Sequence, residues 1–160
     1  HGTTSQALVE AIDLLPTFLE SQGLPVPWHW LEGKSLQPLL KGEKTSVREV
    51  AISELDYAIY GAARNLKLQP NKARMVMARS ERFKYIHYDG FPAQLFDMQQ
   101  DPQELHDLGR DPGYSTVRDE HLGWIFDWMR SRRNRVTISD EDIMRRANPA
   151  AAGGVIIGEW

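Results

Sequence analysis

The side chains of this sequence that are able to do chemistry are scattered along it. The five histidines are His1, His29, His87, His106 and His121, and no two stand in the His-x-His or His-Glu-x-x-His spacing that puts two imidazoles on one metal ion. His87-Tyr88-Asp89 is the nearest approach to a site, but a histidine beside an aspartate at a strand end reads first as turn chemistry. Cysteine is absent, which excludes a thiolate nucleophile, a zinc–thiolate centre and a disulfide framework. The serines and threonines include no Gly-x-Ser-x-Gly elbow to prime a nucleophile. No Gly-x-x-x-x-Gly-Lys loop cradles phosphate. On residue types and spacing alone, the chain carries no active site.

Two clusters have a binding reading and a plainer one. Arg130-Ser131-Arg132-Arg133-Asn134-Arg135 has the charge to hold phosphate or nucleic acid. It also closes a predicted helix, where cations suit the negative end of the dipole. With 19 basic against 22 acidic residues, a net charge of -3, nucleic acid is not an expected partner. Trp124 and Trp128 lie on one helical stripe and read as packing or as a possible subunit interface.

The positioning elements follow from periodicity. At 160 residues with 41% hydrophobic and 26% charged side chains, one domain with a real core is expected. No apolar run reaches the roughly 18 residues of a membrane span. Asp13 is positioned to cap a short helix, with Pro16 in its first turn, Leu15, Phe18 and Leu19 on its apolar face, and Gly23 as its stop. Pro25 and Pro27 forbid regular helix through the next stretch, where Trp28 and Trp30 are expected to anchor a loop. Leu36, Leu39 and Leu40 form one helical turn ending near Gly42. Strands are predicted over Val47 to Leu55, Arg74 to Arg79, Phe83 to Tyr88 and Ala93 to Met98, with turns at Ser80-Glu81 and Asp89-Gly90. Asp56 to Pro70 reads as a surface excursion. Tyr114 to Arg135 is the longest helix, with Leu122, Ile125, Phe126 and Met129 on one stripe and Val117, His121, Trp124 and Trp128 on another. Beyond it lies a tail in which Ser139 is placed to cap a helix through about Arg146 and Val155-Ile156-Ile157 is strand-like.

The order of motifs resembles the C-terminal part of the sulfatase branch of the alkaline phosphatase superfamily. Leu8 to Glu20 is similar to its Val-x-x-x-Asp-x-x-Pro-Thr segment, carried here by Asp13, Pro16 and Thr17. Gly33 to Gly42 is similar to its Gly-x-Ser-Leu-x-Pro-Leu-Leu-x-Gly. Arg82-Phe83-Lys84-Tyr85 and Gln94 to Leu108 resemble Arg-Tyr-Lys-Tyr and Glu-Leu-(Tyr/Phe)-Asp-Leu-x-x-Asp-Pro-x-Glu-x-x-Asn-Leu, so that Lys84, Asp97, Asp101, Pro102 and Glu104 fall on motif positions. Gln94 stands where Glu is common, and His106-Asp107 replaces the usual pair ending in Asn. The tail is similar to that of phosphonate monoester hydrolase-like members.

The resemblance implies an α/β architecture, α+β when taken alone. A four-stranded antiparallel sheet is packed by the long helix, preceded by the last elements of a larger α/β sandwich domain and followed by an extended tail. The boundaries expected are 1–45, 46–135 and 136–160. It implies a parent hydrolase of sulfate, phosphate or phosphonate esters with a divalent metal and a formylglycine made from Cys or Ser. The nucleophile motif Cys/Ser-x-Pro-x-Arg does not occur in this chain, so no catalytic or metal-ligating residue is assigned. His1-Gly2 is not assigned to the family's Asp-His-Gly motif because it lies too close to Leu8. The chain therefore reads as an excerpt whose first partner is the N-terminal catalytic part of the same polypeptide. A homo-oligomer is expected, nucleic acid and membrane are not, and the compartment is expected to be cytoplasmic. The competing reading is a non-catalytic association module built on the Trp124/Trp128 stripe and the tail.

Overall fold

Alternating apolar side chains over residues 74–97 produce an antiparallel meander. The computed structural model describes Gly2, residues 4–133, Thr137, Ser139, Glu141, Asp142 and Arg145. Its sheet contains β1 (Ala51–Asp56), β2 (Arg74–Arg79), β3 (Phe83–Tyr88) and β4 (Phe91–Asp97) in the order β1-β2-β3-β4, every pair antiparallel. Ser80 closes the β2–β3 hairpin, its N–H donating to Phe83 O at 2.9 Å and its hydroxyl accepting from Phe83 N at 3.1 Å. Gly90, at φ 80°, supplies the left-handed residue of the next turn.

The two-residue period sorts the sheet into two faces. Val76, Ala78, Tyr85 and Leu95 share one face and form the main core with Ile125. Helix α4 (Ser115–Ser131), entered through a 3-10 turn at Pro112–Tyr114, covers that face. His121 and Ile125 are its buried residues, and Tyr114, Val117 and Trp128 pack beside them. Met75, Met77, Ile86, Tyr88 and Gln94 belong to the second face, on the side away from α4, where Met75 packs against the small core of Tyr57, Ala63 and Ala73.

Three short helices complete the order: α1 (Leu14–Ser21), preceded by a 3-10 turn at Ala11–Asp13; α2 (Gln37–Leu40); and α3 (Gly61–Asn65). Helix α2 ends before Gly42 (φ 72°), as the spacing of its leucines predicts.

Several expectations need correction. Asp56 to Pro70 is not a bare surface excursion, because Tyr57 and Ala63 form a second small core with Ala73 and α3 lies within the stretch. The first strand begins at Ala51, since the Ser46–Arg48 backbone is held by the Ser46 hydroxyl. The fourth strand begins at Phe91 and includes Pro92, which the outer edge of the sheet tolerates. Helix α4 stops at Ser131, so Arg132 and Arg133 lie past its end and Arg130 is the basic residue of the last turn. Arg132 instead lies over the Trp128 ring at 4.9 Å and pairs with Glu32. The stripe of α4 left outward is Leu122, Phe126 and Met129, not the tryptophan stripe.

On α1 the predicted apolar face is not the buried one. Leu15 is 45% exposed and Phe18 60%, while Pro16 and Thr17 are buried. Trp28 and Trp30 stay nearly half exposed and do not anchor their loop within the described residues. Ser139 Oγ accepts the Asp142 N–H at 3.1 Å, as a capping serine does. Most of the remaining predicted tail, including Val155-Ile156-Ile157, lies outside the described residues.

Candidate functional site

The motif residues gather into two polar clusters. In the first, Asp13 is completely buried. Its carboxylate does not cap α1, contrary to the reading from spacing. It accepts the N–H groups of Glu10 and Lys34, both at 2.8 Å, and pairs with the Arg48 guanidinium. Arg48 Nη1 also lies 3.0 Å from Glu10 Oε2, an ion pair whose angle does not make it a hydrogen bond. Glu10 Oε1 in turn accepts the Ile52 N–H at 2.7 Å, on the open edge of β1. Thr17 Oγ1 donates to Asp13 O at 2.6 Å and accepts from Leu36 N at 2.8 Å. Gly33 completes the clamp, because a Cβ there would overlap the Ile12 carbonyl. Pro16 is buried in the same turn. A buried guanidinium with two carboxylates satisfies the rule that charges removed from water must be paired.

The second cluster shapes the turn after β4. Arg82 donates twice to Asp97 Oδ2, from Nε at 3.0 Å and from Nη2 at 2.7 Å. Asp97 Oδ1 accepts from Gln99 N and Gln100 N. The Arg82 hydrogen bond is the largest cause holding the Asp97 carboxyl below its ordinary range. Lys84 Nζ meets Glu104 Oε2 at 2.6 Å, and Glu104 sits at a positive φ of 59°. Asp101 accepts the His106 N–H at 2.8 Å, which lowers its carboxyl as well. Pro102 is exposed.

The motif positions are therefore occupied by partners within the chain and shape two turns. Trp124 packs edge-on to His121 at 4.6 Å between ring centres, and Trp128 against the main core. Nothing in the sequence marks Arg48, which lies 35 residues from Asp13, and little marks the hydrogen bond between buried His121 Nε2 and Ser80 Oγ at 3.0 Å. The helical stripe containing His121 was the only available signal for the latter. His87 makes no metal cluster: among the described residues no three His, Asp or Glu side chains converge to hold a cation. These residues do not fit the metal that the family resemblance implies, and no catalytic step is assigned to them.

A groove of about 620 Å³ lies on the sheet face opposite α4, with Ala62 and Leu66 from the α3 segment in its lining. Tyr57, Tyr60, Tyr88 and Phe91 provide apolar walls, and Gln94 and Arg110 line its polar part. Sequence reading missed it because its walls come from four separate stretches.

Residues 1–125 match the family described as N-sulphoglucosamine sulphohydrolase, C-terminal. The chain is 35% identical over 124 residues to a Delta 4,5-hexuronate-2-O-sulfatase of Bacteroides thetaiotaomicron, covering 74% of this chain and 23% of that protein. It is 28% identical over 138 residues to a multifunctional alkaline phosphatase superfamily protein of Trinickia caryophylli, covering 84% and 27%. The phosphonate monoester hydrolase of Agrobacterium radiobacter superposes with a TM-score of 0.59 at 36% identity, over 74% of this chain and 23% of that one. That of Silicibacter pomeroyi gives 0.71 at 25% identity, over 85% and 28%. The chain thus spans about a quarter of the length of these relatives. With its meander, covering helix and motif-bearing turns, the chain belongs to the N-sulphoglucosamine sulphohydrolase C-terminal family, as a C-terminal domain of the sulfatase and phosphonate monoester hydrolase type within the alkaline phosphatase superfamily.

Proposed function

We propose that this chain is the structural, non-catalytic C-terminal portion of a metal-dependent hydrolase acting on sulfate, phosphate or phosphonate esters. In that reading residues 1–45 finish the parent's α/β domain, 46–135 form the sheet-and-helix subdomain that walls the cleft, and 136–160 are a tail. The observation that carries it is the inverted burial of the N-terminal segment. Asp13, Pro16 and Thr17 are buried, while Val9, Ile12, Leu14, Leu15 and Phe18 are each about half exposed. An amphipathic helix with its apolar side uncovered requires a partner, and the greater length of the relatives supports the rest of the same polypeptide as that partner. A divalent metal and a formylglycine would belong to that upstream part and would supply charge stabilisation and the nucleophile. A homo-oligomeric, cytoplasmic parent that binds neither nucleic acid nor membrane completes the proposal.

The purified chain should therefore not hydrolyse aryl sulfates, phosphomonoesters or phosphonate monoesters, with or without added Mn²⁺, Ca²⁺ or Mg²⁺. Robust metal-dependent turnover by this chain would overturn the reading. Upstream coding sequence containing Cys/Ser-x-Pro-x-Arg and Asp-His-Gly would support the parent enzyme. A second reading, an association module, draws on the exposed stripe Leu122, Phe126 and Met129 of α4. There, Phe126→Ser with Met129→Ser should reduce the assembled size measured by light scattering, and unchanged size would count against it.

A further inference from the structure

The groove on the sheet face opposite α4 is built more deliberately than a gap between side chains. Tyr57, one of its walls, is 8% exposed and locked into the second small core with Ala63 and Ala73, so that wall is formed in advance. The opposite rim is the loop after β4. Asp107 Oδ1 accepts from Leu95 N at 3.0 Å and from Gly109 N at 2.8 Å, tying the loop to the strand. Gly109 lies so close to β4 that a Cβ would meet the Ala93 carbonyl and come within 2.9 Å of Gln94 Cα. Its neighbour Arg110 joins Gln94 in the lining of the groove.

The polar groups there are donors in want of an acceptor. The Tyr88 hydroxyl donates to Gln94 Oε1 at 2.7 Å, which orients the amide and leaves its NH₂ unused. Arg110 is exposed and makes no ion pair among the described residues. Asp107 is the one carboxylate lining the groove, and one of its oxygens is already committed to two backbone N–H groups. Aromatic walls, an oriented amide NH₂ and an uncommitted guanidinium suit a flat apolar body bearing a negative charge. The groove also lies at the Leu55–Tyr88–Phe91 end of the sheet, away from Ile52 where Glu10 attaches the N-terminal segment.

From this geometry we propose that the groove is a binding site for a small aromatic anion, its ring between Tyr60, Tyr88 and Phe91 and its anionic group on Arg110 and the Gln94 amide. The site does not depend on the hydrolase reading. It is tested by titrating the ¹⁵N-labelled 160-residue chain at low ionic strength with 2-naphthoate and with its neutral counterpart 2-naphthamide, followed by backbone amide shifts. Saturable shifts at Tyr57, Phe91 and Gln94 are expected, with naphthoate binding about tenfold or more tightly than naphthamide. Arg110→Gln, and separately the near-isosteric Gln94→Glu, should erase that preference while the spectra remain dispersed as in the parent chain. Phe91→Ala should weaken both probes. Equal affinity for the two probes, an absence of shifts up to about 5 mM, or a preference that survives Arg110→Gln would overturn the assignment.

Discussion

The segment before the sheet and the sheet with its helix are held together by opposite means. In the sheet and α4 the interior is mainly Val76, Ala78, Tyr85, Leu95 and Ile125, joined by the buried His121 and Asp97, while Arg82, Lys84 and Glu104 carry the other ends of the ion pairs toward solvent. Before the sheet the interior is Asp13 and Arg48, and the large apolar side chains lie outside. Apolar burial stabilises without direction, whereas a buried ion pair roughly offsets its own desolvation and contributes mainly geometry. The sheet and helix therefore have the material to stand as a unit. The N-terminal segment has the material to be aimed correctly at something else.

The most damaging test of this contrast is Arg48→Met. Removing the guanidinium leaves Asp13 as an uncompensated buried carboxylate beside the partly exposed Glu10, a loss of about 3–5 kcal/mol. Amide exchange should accelerate at Ile52, Lys34 and Leu36, whose N–H groups the clamp holds, while the β2–β3 amides stay protected. Equal loss of protection in both regions would break the distinction. Leu95→Ala is the converse. It empties a fully buried position and should cost about 2–5 kcal/mol, read as a lower denaturant midpoint for the whole sheet.

Acid should act on the sheet and helix in two stages. Burial holds the His121 imidazole below its ordinary value of 6.5, so the unfolded chain takes up that proton more readily. Its stability contribution is complete above about pH 6.5 and declines as the pH falls toward the lower folded value. Asp97, depressed chiefly by Arg82, adds stability that is present above its ordinary 3.8 and lost as the pH falls through its folded value. Thermal midpoints measured from pH 8 to 3 should show both stages, and His121→Phe should remove the upper one. The smallest effect is expected from Phe18→Ser. At 60% exposure this residue should contribute less than about 0.5 kcal/mol within this chain, measured by urea unfolding; a larger loss would mean that α1 packs on the body after all.

Much of the sheet was legible because local rules decide it. The limits Arg74–Arg79 and Phe83–Tyr88 follow from alternation interrupted by Ser80-Glu81 and Asp89-Gly90, and the long helix from its stripes. The groove was not legible, since Gly109 reads as an ordinary loop glycine until β4 is seen against it. Nor was the clamp, for Asp13 followed two positions later by leucine and proline looks like a helix cap whichever way its carboxylate turns.

By itself the sequence determined the meander, the long helix, the polar turns and the family, because periodicity, turn chemistry and motif order act over a few residues at a time. Only the tertiary structure decided which stripe of α4 faces the sheet, that Asp13 is spent on Arg48, that residues 56–73 carry a core of their own, and that Gln94 and Arg110 meet at one groove. Those outcomes depend on contacts between distant stretches, whose pairing is set by competition for burial and for hydrogen-bond partners across the whole chain.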